Sequence, residues 1–447
     1  MSRPNIIYMH SHDTGRVISP YGHAVQTPNL NRFARQGVLF NQAFTVNPTC
    51  SPSRASLVTG MWPHCNGMIG LCHRGARLNN PDQHWVHTFK AAGYRTVQVG
   101  LQHVIPAGQD KGFEVDLSNP PWDKNVKFPL ADRDDTTSTE AAKFIKSKHD
   151  RPFFMECGFI RTHRTPPERE GVQWHNFERS PCGEPDSPPP RPLPDTTDTR
   201  RDWADLRESV RQLDRLMGVV IRAVDDAGLT NNTLVIVTTD HGIAFPGMKC
   251  NLVDAGMGVM LMLRGPGGFW SSSSSPDAGN AMVTHMDLFP TACDVAGIAS
   301  PQWLQGHSLC LLVTGKVSKL RDEVFGQVNY HAAYEPQRSV RTTTHKYIKR
   351  YEVHPHPVLP NCDGSVTKRA MIESGWATQT QEPEYLFDLR TDPLEISNLA
   401  RDPRHTGTLK DLRDKLSMWM QQTDDPLWST GRVDPQSGMD FNSVHGP

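Results

Sequence analysis

Short apolar segments alternate with amphipathic segments along the first two thirds of the chain, and this alternation constrains the fold more than any other feature. The strands that we predict are Asn5–His10, Val38–Phe44, Thr96–Gly100, Pro152–Phe159 and Thr233–Thr239. The helices that we predict are Pro28–Gln36, Ser51–Thr59, Arg201–Ala227 and Asp287–Ala296. Because helices connect neighbouring parallel strands, this order predicts an α/β domain with a large mixed, mostly parallel sheet flanked by helices.

The pattern changes at about Val324. Short strand-like segments precede one amphipathic helix there, at Gln337–Arg341, Tyr347–Tyr351, Tyr385–Asp388 and Thr408–Gln421. This predicts a smaller C-terminal α+β unit with an antiparallel sheet. A chain of 447 residues is longer than most single-core domains, so we predict two domains, residues 1–323 and 324–447. The proline-rich residues 179–199 and the run Ser271–Ser275 are predicted loops.

Composition excludes several classes of protein. The formal net charge of -1 provides no overall field that would attract nucleic acid or an anionic membrane. No apolar run approaches the ~20 residues that span a bilayer, so we expect no membrane partner. The N-terminus lacks the features of a signal peptide, which predicts a cytoplasmic location. The nine cysteines include no CxxC pair and do not resemble a disulfide framework.

Histidine or aspartate follows four of the predicted strands within a few positions. These residues are His12, Asp13, His103, His163, Asp240 and His241. Ligands bind at the carboxyl ends of the strands in open α/β sheets, so we expect these side chains at one functional edge. Three other histidines (His64, His73 and His285) follow no strand in this way, and we expect structural roles for them.

Cys50 begins the segment CSPSRASLVTG, which resembles the sulfatase signature Cys-x-Pro-Ser-Arg followed by Leu-x-Thr-Gly. The resemblance covers nearly the whole chain, because RPNIIYMHSHDTG, NTLVIVTTDHG and YLFDLRTDPLEISNLARDP also look like sulfatase segments. Within the family, CSPSRASLVTGMWPHCNGMIGL and RPFFMECGFIRTHR are most similar to sulfamidases, the N-sulfoglucosamine sulfohydrolases. The resemblance implies an alkaline-phosphatase-like fold and a hydrolase of sulfuric esters or sulfamates.

The resemblance also implies a mechanism in which Cys50 is oxidised to formylglycine by a formylglycine-generating enzyme. The hydrated aldehyde has two hydroxyls, one to attack sulfur and one to expel sulfate afterwards. A divalent cation would make these hydroxyls more acidic and neutralise sulfate oxygens. By motif position, the ligands of this cation are Asp13, Asp240, His241, Cys50 and His12. The expected catalytic residues are Cys50, Arg54, His103, His163 and Lys249. Arg54 would hold the diol and the sulfate, and His103 would be the base for sulfate release. His163 and Lys249 would bind sulfate and assist the leaving group.

This chain departs from the family pattern at the metal site and at the substrate pocket. His12 stands where sulfatases carry an aspartate, and His241 where they carry an asparagine. Imidazole ligands favour manganese, zinc or another transition metal over calcium, the family default. Leu101 replaces an expected lysine, and Arg161 replaces an acidic residue that would face the substrate. These changes predict a substrate other than glucosamine N-sulfate.

Three functions are compatible with these residues. The leading hypothesis is hydrolysis of a sulfate ester or sulfamate, with a sulfated sugar or aryl sulfate as substrate. The alternative is a phosphonate monoester or phosphodiester hydrolase that uses the same formylglycine, which Asp240-His241 and Leu101 favour. A catalytically silent binding protein would require Cys50 to remain a thiol, against the intact signature. A homo-oligomer is compatible with the sequence.

Overall fold

The computed structural model describes residues 3–118, 130–164, 185–268, 278–352 and 354–444. The strands, in chain order, are β1 (Asn5–Ser11), β2 (Val38–Leu39), β3 (Ala43–Phe44), β4 (Arg95–Gly100), β5 (Val115–Asp116), β6 (Phe153–Gly158), β7 (Thr233–Thr239), β8 (Leu261–Arg264), β9 (Val283–Thr284), β10 (Val324–Tyr330), β11 (Tyr334–Arg341), β12 (His345–Arg350) and β13 (Glu384–Asp388). The α-helices are α1 (Pro28–Gln36), α2 (Cys50–Thr59), α3 (Pro63–Asn66), α4 (Trp85–Ala91), α5 (Leu130–Lys146), α6 (Thr197–Asp226), α7 (Asp254–Met257), α8 (Leu288–Ala296), α9 (Cys310–Val313), α10 (Val366–Glu373), α11 (Thr406–Gln422) and α12 (Pro426–Ser429).

A seven-stranded sheet forms the centre of the larger unit, in the order β2-β8-β7-β1-β6-β4-β5. The pairs from β7 to β5 are parallel, and β8 pairs antiparallel with β7 and β2. The predicted mixed, mostly parallel sheet is therefore confirmed. β1 lies between β7 and β6, so the ends of these three strands are neighbours at one edge.

Two hydrophobic cores cover the faces of this sheet. Alternate residues of β1 point to opposite faces of the sheet. Ile6 and Tyr8 pack with α2, α4 and α8. Ile7 and Met9 pack with α1, α5 and α6. The whole of β1 and β7 is buried. A strand covered on both faces reads as a continuous apolar run, which explains why both strands could be predicted from sequence.

The predicted strand Val38–Phe44 is wrong in one respect, because it is two strands in two sheets. β2 pairs with β8 in the large sheet, while β3 pairs with β9 in a separate two-stranded sheet. The polar residues Asn41 and Gln42 lie between them, and their side-chain amides donate to Asn280. This polar turn moves the chain from one sheet to the other.

The C-terminal unit is a four-stranded antiparallel sheet in the order β10-β11-β12-β13, as predicted, although β10 itself is not among the predicted strands. One face packs on α11 through residues that include Tyr347 and Trp419. The other face packs against the larger unit, where Ile348 and Phe387 join a cluster with Phe44. β10 begins at Val324, the first residue of the predicted second domain. The division into two domains itself stays a prediction.

Several loop predictions meet the structure only in part. Residues 185–196 contain no helix or strand, but α6 begins at Thr197, inside the segment predicted as a loop. Residues 179–184 and Ser271–Ser275 lie outside the described residues. Within the described ranges, none of the helices is both long enough and apolar enough to cross a membrane.

Candidate active site

The ends of β1, β4, β6 and β7 bring the predicted histidines and aspartates together, as expected. The ring of His12, which follows β1, lies 5.1 Å from the ring of His163 and 6.0 Å from the ring of His103. The Cys50 Sγ lies 3.4 Å from the Nε2 of His241. Residues from five separate segments thus converge at the carboxyl edge of the sheet.

Cys50 is the first residue of α2, a helix that is buried along its whole length. Ser53, one turn later, fixes the helix to the sheet because its hydroxyl donates to the carbonyl of Asp240 (2.5 Å). The helix ends at Gly60, whose φ of 68° lies in the left-handed region and whose N–H donates to the carbonyl of Ser56. The thiol therefore lies at a helix N-terminus, whose positive end favours anions.

Asp13 and Asp240 form the acidic part of the site. Asp13 has a φ of 51°, in the left-handed region, and its N–H donates to Asp240 Oδ1 (2.8 Å). The N–H of His241 donates to the same oxygen (2.9 Å). These two backbone bonds leave Asp240 Oδ2 facing His12 Nδ1 at 2.9 Å and Arg54 Nη2 at 3.0 Å.

Four of the predicted ligands are arranged in a way that fits a metal ion. One ligand atom each of His12, Asp13, Cys50 and Asp240 lies within 4.8 Å of the others, and all four residues are buried. Asp13 Oδ1 is a buried atom without a hydrogen-bond partner among the described residues. His241 Nδ1 contacts the Gly242 carbonyl at 2.9 Å, which leaves its Nε2 facing Cys50 and Asp13. A cation between these ligand atoms would satisfy this oxygen of Asp13.

Arg54 lies on the same side of α2 as Cys50 and is 3% exposed. Its guanidinium donates to Asp240 Oδ2 and to the Ser11 carbonyl (3.1 Å), and its Nη1 also bonds to His10 Nδ1. Burial, and then the charge of Arg54, lower the pKa of His10 well below its usual value, so His10 is neutral and accepts this bond. His10 was not predicted, because a histidine inside a strand gives no sign of function.

Lys249 is buried, 4% exposed, and is not a solvated loop lysine. Its Nζ donates to Asp13 Oδ2 (3.0 Å) and to Asp363 Oδ2 (2.9 Å). The pKa of Lys249 would be lowered by burial, but the two carboxylates raise it well above its usual value. Asp363 belongs to the C-terminal unit and carries no sequence signal that could have assigned it to the site.

His103 contacts a second histidine that was not predicted to be functional. Its Nε2 lies 2.9 Å from the Nδ1 of His73, and the two rings are stacked with centroids 5.1 Å apart. The other nitrogen of His103, Nδ1, is buried without a hydrogen-bond partner among the described residues. On the opposite side, the Nδ1 of His163 contacts the Arg164 carbonyl at 2.7 Å.

The charges of the site strongly shift its acid–base groups. Burial would raise the pKa of the Cys50 thiol, but Lys249 and the neighbouring imidazoles hold it well below its usual range. Burial would lower the pKa of His12 and His241, but the adjacent carboxylates raise these values to about 10 and about 9. Both imidazoles therefore hold a proton that a bound cation would displace.

Three other residues have structural roles. Arg161, expected to face the substrate, is 3% exposed, and its guanidinium lies 3.1 Å from Asp134. The expectation of a changed substrate-facing charge at this position is therefore wrong, because the charge is compensated inside the protein. His64 lies 3.0 Å from Gln327 and His285 lies 3.1 Å from Thr238, consistent with the structural roles expected of them.

Comparison with known proteins identifies the family. The family profile described as Sulfatase matches residues 4–298, and the profile described as N-sulphoglucosamine sulphohydrolase, C-terminal, matches residues 249–359. N-sulphoglucosamine sulphohydrolase from Homo sapiens is 30% identical over 471 residues, covering 95% of this chain and 91% of that protein. The Sulfatase match includes both the strand ends and the Cys50 helix.

Solved structures agree with this result at the level of the fold. A 2-O GAG sulfatase superposes with a TM-score of 0.75 and 22% identity, covering 97% of this chain and 95% of that chain. A phosphonate monoester hydrolase of Agrobacterium radiobacter superposes with a TM-score of 0.69 and 20% identity, covering 94% and 96%. At these identities the likeness establishes a shared fold alone.

The fold, the site and the relatives together define a hydrolase that acts on sulfuric esters or sulfamates. The chain belongs to the sulfatase family.

Proposed function

We propose that Cys50 is converted to formylglycine and that this residue is the nucleophile toward a sulfate ester or sulfamate. The observation that carries the proposal is the position of Cys50. It lies at a helix N-terminus, within 4.8 Å of ligand atoms of His12, Asp13 and Asp240. A hydrated aldehyde at this position would supply two hydroxyls on one carbon, one for attack and one for release of the sulfate.

We also propose that the site holds one divalent cation. The ligands would be Asp13, Asp240, His12 and residue 50, with His241 as a fifth candidate. When bound, the cation would act as a Lewis acid that neutralises sulfate oxygens and acidifies the residue-50 hydroxyls. Because imidazole suits manganese, zinc and other transition metals better than calcium, we propose a transition metal.

The remaining roles belong to side chains of this chain. Arg54 binds a sulfate oxygen and orients residue 50, since its planar guanidinium is already fixed by Asp240 and Ser11. His103 takes the proton of the second hydroxyl when sulfate is released, because its buried Nδ1 has no other partner among the described residues. Lys249 and His163 bind the sulfate and donate a proton to the leaving atom.

We propose a sulfated sugar as the substrate class. The proposal is supported by the match of residues 249–359 to the N-sulphoglucosamine sulphohydrolase C-terminal profile and by the 30% identical human relative of that name. A formylglycine-generating enzyme is the partner that maturation requires. The cytoplasmic location and a homo-oligomer stay predictions from the sequence.

The mass of the peptide that contains Cys50 tests the nucleophile. We expect a loss of ~18 Da relative to the thiol, the mass change of this modification, in protein from a host with the maturation enzyme. The Cys50→Ala variant should fold and lose turnover. An unmodified, inactive protein from such a host would support the silent-binding reading instead.

Relative rates and metal content test the reaction and the cation. We expect aryl sulfate or sulfamate turnover to exceed aryl phosphonate turnover, to disappear after chelation and to return with manganese or zinc. Phosphonate turnover that is faster by orders of magnitude would favour the alternative hydrolase, which shares the fold. Purified active protein that contains calcium and no transition metal would contradict the metal assignment.

A further inference from the structure

Asp363 is a carboxylate that the C-terminal unit places in the active site. It lies between the turn Leu359–Asn361 and α10, and its side chain is 18% exposed. The loop around it is firmly held, because Lys368 Nζ donates to the carbonyls of Leu359 (3.0 Å) and Cys362 (3.1 Å). The carboxylate is therefore held on a fixed loop and is only partly buried.

The position of Asp363 relates it to the leaving group of the proposed reaction. Its Oδ2 accepts a hydrogen bond from Lys249, and one of its oxygens lies within 4.8 Å of a nitrogen of His163. A His163 nitrogen also lies within 4.8 Å of the Cys50 Sγ. Asp363 thus accepts a hydrogen bond from Lys249, one of the two proposed proton donors, and lies near His163, the other donor, which is itself near the nucleophile.

A negative charge beside the leaving atom should stabilise the departure of a protonated nitrogen more than the departure of an ester oxygen. A sulfamate nitrogen must take a proton, from Lys249 or His163, before it can leave, and it then carries a positive charge. The S–N bond breaks with its electron pair going to nitrogen, which leaves as a neutral amine, while sulfur is bonded to the residue-50 oxygen. An ester oxygen carries no positive charge as the S–O bond breaks, so a nearby carboxylate does not favour its departure.

We infer that Asp363 is a specificity-determining residue that favours cleavage of sulfamates over sulfate esters. The inference rests on the proposed function and extends it to the choice between the two substrate classes. Asp363 is able to act in this way because its loop is fixed and its carboxylate lies beside Lys249 and His163, the side chains proposed to face the leaving atom.

Two substrates that differ in one atom test the inference: N-phenylsulfamate and phenyl sulfate. In the Asp363→Asn variant, whose amide oxygen still accepts from Lys249, kcat/KM for the sulfamate should fall at least tenfold, about 1.4 kcal/mol, and the sulfate rate should fall less. Asp363→Glu, which keeps the charge, should preserve more of the sulfamate preference. Asp434→Asn, at an exposed carboxylate paired with Arg432, is the matched control and should change neither rate.

The outcomes separate this inference from the proposed function. An equal loss on both substrates would overturn it, because Asp363 would then serve only to hold Lys249. A wild-type protein that cleaves the sulfate and not the sulfamate would overturn it as well, and would leave the proposed function intact. A protein with formylglycine at position 50 that cleaves neither substrate would contradict the proposed function itself.

Discussion

Replacement of Asp240 by asparagine tests the centre of the site, because both carboxylate oxygens face hydrogen-bond donors. Oδ1 accepts from the N–H groups of Asp13 and His241, and Oδ2 faces Arg54 and His12. An amide has only one acceptor oxygen. In either orientation, its NH₂ group faces two donors and loses both interactions on that side.

The size of the effect follows from these contacts. Each hydrogen bond to a charged group contributes about 1.5–3 kcal/mol, so the loss of two amounts to about 3–6 kcal/mol. If this free energy is lost in the transition state, even about 3 kcal/mol reduces kcat/KM by about 100-fold or more. The lost negative charge also weakens binding of the proposed cation, so the metal content of the purified variant should fall.

Initial rates on an aryl sulfate or sulfamate, together with metal content and urea unfolding, measure this prediction. Asp214→Asn is a matched control, because Asp214 is also a buried carboxylate that accepts backbone N–H groups, those of Asn29 and Leu30. It should lose stability and keep its specific activity. An Asp240→Asn protein that is folded, binds metal as wild type does and keeps more than a tenth of kcat/KM would contradict this prediction.

Three further perturbations have defined outcomes. Burial raises the pKa of Glu156 to about 7, so the folded state binds this proton more tightly than the unfolded state, and stability falls as pH rises from 4.5 through 7. By urea unfolding, Glu156→Gln should therefore be up to about 3 kcal/mol more stable than wild type at pH 8 and equally stable at pH 4. A variant with the same pH profile of stability as wild type would contradict this. Asp425→Ala leaves the fully buried Arg338 without its carboxylate and should cost about 3–5 kcal/mol in the same assay, whereas a cost under about 1 kcal/mol would show that the pair is dispensable. His73→Ala removes the contact to His103 and should lower kcat about tenfold with KM little changed, and His73→Asn should restore part of the lost kcat. An effect on KM alone would contradict this prediction.

The sequence predicted correctly the helices and strands whose bounds follow from their own residues. β7 is found at the predicted residues Thr233–Thr239, because a short β-branched apolar run is typical of a parallel strand covered on both faces. α1 is likewise found at Pro28–Gln36, where a proline at the start and Gly37 at the end limit the helix. By contrast, Val38–Phe44 reads as one apolar run, and only pairing with β8 and β9 divides it between two sheets.

The same division applies to the candidate site. The cysteine at the start of a helix and the histidines and aspartates at the ends of four strands could be predicted from the sequence, because motif spacing and strand ends are local properties. Tertiary packing pairs Arg161 with Asp134 inside the protein and brings His73 and Asp363 to the candidate site. These contacts join residues 27, 30 and 114 positions apart, and the packing of separate elements, rather than any local pattern, brings them together.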